Sequence, residues 1–151
     1  MTRILVVEDD EYKASDIIKT AQSVLNGVAI ERAASVTSAL TMIHDHTFDL
    51  VILDMSLPTF DISGPGGGGS PEGQGGIEVL RLARRVKNQS KFVVVTQYPD
   101  IEVEGREVSL SLAAAKLSQT FKLQVLGCLL YDFDDDEWRV PLIATIREIV
   151  H

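Results

Sequence analysis

Residues 48–58 read FDLVILDMSLP, and this stretch decides the fold. Leu50, Val51, Ile52 and Leu53 form an unbroken apolar run, which suits a strand covered on both faces better than one with a wet side. The run stops at Asp54, and Pro58 blocks a continued ladder, so a carboxylate is left at the strand's C-terminal end. In open parallel α/β sheets that end is where ligands bind. Asp is also a common turn former, so the residues that meet Asp54 decide what it does.

The flanking sequence repeats the pattern. Ile4 to Val7 is a second aliphatic run, ending in Glu8, Asp9 and Asp10. Ala14, Ile17, Ile18, Ala21 and Val24 or Leu25 then recur at helical spacing, with Asp10 or Glu11 placed to satisfy the free N–H groups of the first turn. Asn26-Gly27 closes that helix, and Val28 to Ile30 opens a short strand. Ser35 caps the next helix, whose apolar side is Val36, Ala39, Leu40 and Ile43. After Pro58 comes a glycine-rich segment that reads as a flexible loop. Ile77, Leu80, Ala83 and Val86 resume the helical period, and Phe92 to Val95 form another apolar strand, ending at Thr96. Leu110, Ala113, Ala114, Leu117 and Phe121 predict a further helix. Val125 to Leu130 form a fifth strand running into Tyr131 and Asp132, and Leu142, Ile143, Ile146, Ile149 and Val150 a last helix, with Pro141 near its start. Five strand–helix alternations predict an α/β domain with a doubly wound five-stranded parallel sheet, helices on both faces and right-handed crossovers.

With 151 residues, 45% of them hydrophobic, the chain is expected to form a single domain over 1–151. A net charge of −8 argues against a nucleic-acid or anionic-membrane surface, since the only basic group is the short run from Arg81 to Lys87. A single cysteine, Cys128, fits a reducing compartment. No run is apolar enough to span a bilayer, and the N-terminus turns acidic too soon for a signal peptide, so the expected location is cytoplasmic. His44 and His46 fall on different faces of a helix, which disfavours zinc. The glycines are not followed by Gly-Lys-Ser or Gly-Lys-Thr, which excludes a nucleotide-binding P-loop.

Alternation brings the strand ends to one edge, where Glu8, Asp9, Asp54, Thr96 and Tyr131 can converge. Carboxylates gathered in one pocket repel each other. A hard divalent ion relieves the repulsion, and Mg²⁺ suits the site because it takes few protein ligands and leaves room for phosphoryl oxygens. Such a pocket is suited to phosphoryl transfer, with a carboxylate attacking in line.

Taken together, ILVVEDD, DLVILDMSLP with its Asp-x-x-x-Pro spacing, GIEVLRLARR and VVVT resemble the response regulator receiver domain (CheY-like), over nearly the whole chain. The resemblance implies a flavodoxin-like receiver fold and a phosphorelay role. Asp54 would accept a phosphoryl group from a histidine kinase or phosphotransfer protein. Asp9, with Glu8 through water, would hold Mg²⁺ beside Asp54 and the backbone carbonyl of Ser56, and the Thr96 hydroxyl would contact the phosphoryl group. Output would pass to a separate protein, and the fourth helix, fifth strand and fifth helix would form the partner or homodimer face. Enzymatic activity would extend at most to Mg²⁺-dependent autophosphorylation and dephosphorylation.

The pattern breaks at the fifth strand. Tyr131 stands where the family has lysine, Asp132 where it usually has proline, and Cys128 where it usually has an aromatic switch residue. Lys116 or Lys122 could substitute for the lysine, although a helix lysine is ordinarily solvated. The glycine-rich loop, at about 62–75, and a lengthened fourth-helix region, at about 99–124, read as insertions. Trp138 is either a partner anchor or a core residue, and Asp10 either a helix cap or a member of the metal site. Two functions follow from different classes: a stand-alone phosphoacceptor, or a degenerate pseudo-receiver acting as a phosphorylation-independent interaction module. A metal-dependent hydrolase on the same fold lacks a separate general base.

Overall fold

The structure is a computed structural model that describes residues 1–60, 71–72 and 74–150. In chain order the elements are β1 (Arg3–Val7), α1 (Glu11–Val24), β2 (Ala29–Ala33), α2 (Val36–Asp45), β3 (Leu50–Leu53), β4 (Leu57–Pro58), β5 (Pro71–Glu72), α3 (Gly75–Arg85), β6 (Lys91–Thr96), β7 (Asp100–Val103), β8 (Arg106–Ser109), α4 (Leu110–Phe121), β9 (Gln124–Leu130) and α5 (Arg139–Ile149). The main sheet has five parallel strands in the order β2-β1-β3-β6-β9, with β3 at its centre.

Unbroken apolar runs form these strands because successive side chains point to opposite faces and both faces are covered. Val51 and Leu53 face a core shared with Ile43 of α2, Leu80 of α3 and Leu117 of α4. Leu50 and Ile52 face a second core with Ile17 of α1 and with Leu142 and Ile146 of α5. The doubly wound α/β expectation matches this arrangement.

The lengthened fourth-helix region at 99–124 gains its length ahead of the helix. Its extra length is a β-hairpin, β7 with β8, followed by an α4 of only 12 residues. The physical reason is a period of two. Ile101 and Val103 alternate with exposed Asp100 and Glu102 and are themselves buried in the α4-side core. Glu104 and Gly105, at φ of 52° and 78°, make the tight turn that two consecutive left-handed residues favour. The expected glycine-rich insertion at 62–75 falls largely on residues 61–70 and 73, which lie outside the described residues. At its ends, β5 pairs antiparallel with β4, and Gly75 and Gly76 open α3.

That opening fixes the loop after Asp54. The Gly76 N–H donates to the Met55 carbonyl at 3.0 Å. A Cβ on Gly76 would sit 2.7 Å from the Asp54 carbonyl oxygen, and one on Gly75 would sit 2.9 Å from the Leu57 carbonyl oxygen. Only glycine allows α3 this close to the backbone that carries Asp54. Gly76→Ala is therefore expected to lower stability by about 1–3 kcal/mol through overpacking, measured by urea denaturation. An unchanged midpoint would show that the loop yields without cost.

Candidate functional site

β1, β3 and β6 run side by side in register, with Val7 opposite Leu53 and Leu53 opposite Val94. Whatever follows each strand therefore emerges on one edge. The backbone there is tied in place: the Glu8 N–H donates to Ala33 O and the Asp54 N–H to Val7 O, both at 3.0 Å. The Arg32 guanidinium donates to the carbonyls of Glu8 and Asp9.

Glu8, Asp9 and Asp54 each bring a carboxylate oxygen within 4.8 Å of the others. Glu8 is 2% exposed and Asp54 4%, so two of the three carboxylates are almost dry. With Ser56, Gln97 and Tyr98 they line a cleft of about 170 Å³. Glu8 Oε2 accepts the Asp10 N–H at 3.1 Å.

A lysine that the sequence did not suggest completes the cluster. Lys13, in the first turn of α1, is fully buried. Its Nζ lies 2.6 Å from Glu8 Oε1 and 3.4 Å from Asp54 Oδ1, and donates to Gln97 Oε1 at 3.1 Å. Both carboxylate contacts are ion pairs, and Lys13 is the cation that offsets the burial of Glu8 Oε1 and Asp54 Oδ1. Were all three carboxylates ionised, one ammonium would leave an excess of two negative charges in the cluster. Burial, and then the neighbouring Asp54 charge, push the Glu8 carboxyl up to about 8, with Lys13 pulling part of the way back. Burial likewise raises Asp54, opposed chiefly by Lys13. Three carboxylate oxygens gathered this closely, two of them buried, form a donor set that fits a hard divalent cation.

The other expected residues divide between this edge and the surrounding layers. Thr96 is fully buried at the end of β6; its Oγ1 accepts the Tyr98 N–H at 3.4 Å, and it lines a neighbouring cleft of about 410 Å³ with Met55, Ser56 and Ile101. Ser56 and Tyr98 line both clefts. Tyr131 turns away into the α1–α5 layer. Its hydroxyl donates to Asp16 Oδ2 at 3.0 Å, and its ring packs against Trp138 with centroids 4.9 Å apart. Burial and Asp16 push its phenol above the ordinary range, so it stays neutral. Asp132 is exposed and accepts the Asp134 N–H in a turn. Cys128 packs against the α4-side core, and burial pushes its thiol up to about 12. Asp10 is the cap of α1, accepting the Lys13 N–H at 2.8 Å, and Trp138 is a core residue. Lys116 and Lys122 are exposed and take no part in the described ion pairs of the cleft.

A Detocs response regulatory protein DtcB from Vibrio alginolyticus is 32% identical over 148 residues, which cover 95% of this chain and 99% of that protein. The chain belongs to the DtcB family of response regulatory proteins. A second DtcB, from Enterobacter cloacae, is 25% identical over 151 residues, covering 96% of this chain and 99% of the relative. No protein-family model matches. In three dimensions this DtcB-family chain is similar to a CheY-like response regulator receiver domain protein from Methanospirillum hungatei, with a TM-score of 0.62, 20% identity and coverage of 98% and 92% of the two chains. It is also similar to the response regulator TrrA of Thermotoga maritima, solved with Mg²⁺ and BeF, at a TM-score of 0.61 and 24% identity over 99% of both chains. The fold is thus the CheY-like, flavodoxin-like receiver fold, and the family is one of response regulators. No helix among the described residues is long and apolar enough to cross a membrane.

The raised Glu8 pKa has a definite pH consequence. Between about 4.5 and about 8 the unfolded chain has lost this proton while the folded site keeps it, so its contribution to stability is present below that window and is lost as pH rises through it. Without divalent ions, the urea midpoint of wild type is expected to fall across this window more steeply than that of Glu8→Gln. Added Mg²⁺ is expected to flatten the wild-type slope. Parallel wild-type and Glu8→Gln profiles without metal would show that Glu8 is already ionised.

Proposed function

We propose that this chain accepts a phosphoryl group on Asp54 from a histidine kinase or phosphotransfer protein, in the cytoplasm, and passes the signal to a separate partner. One observation carries the reading: a nearly dry Asp54 at the end of the central strand shares a cleft with Glu8 and Asp9, their carboxylate oxygens within 4.8 Å of one another. An Asp54 carboxylate oxygen attacks the phosphorus of the donor phosphohistidine in line. A P–O bond forms, the P–N bond breaks, and its electron pair leaves with the donor imidazole. Glu8, Asp9, Asp54 and the Ser56 carbonyl would hold Mg²⁺, which supplies charge neutralisation at the phosphoryl oxygens. The buried Thr96 hydroxyl is the proposed donor to a phosphoryl oxygen. Leu112 on α4, Leu130 at the end of β9 and Val140 on α5 are exposed apolar side chains. They support the α4–β9–α5 face as the contact surface for a partner or a second copy.

A second reading, a phosphorylation-independent interaction module, is favoured by Tyr131, whose hydroxyl is committed to Asp16 rather than to the cleft. Chemical trapping separates the two. After acetyl phosphate and Mg²⁺, borohydride reduction is expected to convert Asp54 of wild type to homoserine, detected by peptide mass spectrometry, and to give no product at position 54 in Asp54→Asn or with EDTA. Absence of homoserine in wild type would favour the interaction module.

A further inference from the structure

We propose that Lys13, delivered from α1, is the cation that pairs with the phosphoryl group on Asp54. This deepens the phosphoacceptor reading and rests on it.

A lysine is almost never fully buried without a charged partner, because the desolvation of its ammonium must be offset by close anions. Lys13 is 0% exposed and faces both Glu8 and Asp54. It reaches them for a local reason. The Asp10 side chain caps α1 by accepting the Lys13 N–H, which sets Lys13 in the first turn. Side chains of a helix lean toward its N-terminus, which here adjoins the strand-end cleft. The Tyr131 ring lies 5.6 Å from the Lys13 Nζ, so the residue at the expected lysine position flanks the lysine that has come from elsewhere. Gln97, just past Thr96, holds Nζ from the β6 side.

The ammonium already lies against the carboxylate that accepts phosphorus. When Asp54 becomes an acyl phosphate, Lys13 exchanges one oxygen partner for another: it loosens from Glu8 and donates to a phosphoryl oxygen, without making or breaking a covalent bond. Arg32, another cation at this edge, is occupied with the Glu8 and Asp9 carbonyls and with the Glu11 carboxylate. Lys13 is the one lysine among the described residues in an ion pair with Asp54.

A lysine that merely balanced the acidic cluster would act on metal and phosphoryl analogue differently from one that binds the phosphoryl group. In Lys13→Met, loss of a competing cation is expected to leave Mg²⁺ affinity unchanged or tighter. Loss of a charge-assisted donor is expected to weaken beryllofluoride, measured at saturating Mg²⁺ by calorimetry or amide NMR, by about ten- to a hundredfold. In wild type, the Lys13 side-chain ¹⁵Nζ resonance is expected to shift when beryllofluoride is added to the Mg²⁺-loaded protein, while those of Lys116 and Lys122 stay still. This second measurement needs no variant and decides the matter if Lys13→Met does not fold. Undiminished beryllofluoride affinity in a folded Lys13→Met, or an unmoved Lys13 resonance in a saturated wild type, overturns the role of Lys13 and leaves Asp54 as acceptor. Failure of wild type to bind beryllofluoride at all removes the acceptor reading and this inference with it.

Discussion

The burial of carboxylates against one lysine is the constraint on which the rest of the molecule depends. Glu8 and Asp54 are nearly dry, and fully ionised they would carry with Asp9 more negative charge than Lys13 can balance. Anions do not gather in a low-dielectric cleft unless the scaffold holds them there. Each neighbouring device serves that end. The parallel register of β1 and β3 sets the carboxylates side by side, Arg32 clamps the carbonyls of Glu8 and Asp9, the Asp10 cap fixes the turn that carries Lys13, and Gly75 and Gly76 let α3 close over the loop after Asp54.

Placing the ammonium on α1 changes which elements feel the site. Tyr131 no longer belongs to the cleft but to a layer between α1 and α5, where its hydroxyl meets Asp16 and Arg139 bonds both Asp16 and Thr20. The approach to this position is shifted as well. Between Phe92 and Val94 of β6, β9 advances from Val125 to Cys128, one residue more than its partner, around Gly127. Tyr131, just past β9, is therefore occupied by core packing, and the first turn of α1 is in direct contact with Asp54. Movement of Lys13 would act on α1 and, through Asp16 and Arg139, on α5.

The five strands of the main sheet, their order of alternation and the acidic edge were legible because unbroken apolar runs that stop at polar residues suit buried parallel strands and little else. Asp54, Glu8 and Asp9 follow directly from that pattern. The helix from Leu110 to Phe121 was legible from its period, whereas the hairpin before it, written as Ile101 and Val103 alternating with acidic residues ahead of Glu104-Gly105, was read only as extra length. Lys13 was harder. It lies on the same stripe as Ile17 and Ala21, four and eight residues on, and a charge on a buried stripe is the signal that could have revealed it. Lys116 and Lys122 stand out in the sequence only by their nearness to the altered strand.

The most direct test of where the site's cation comes from is a crystal structure of the wild-type protein with Mg²⁺ and beryllofluoride. The expected result places Lys13 Nζ within hydrogen-bond distance of a fluorine atom on Asp54, with the Tyr131 hydroxyl still on Asp16. A complex in which Lys13 stays on Glu8 while another cation or the Tyr131 hydroxyl contacts the fluorines would contradict the account.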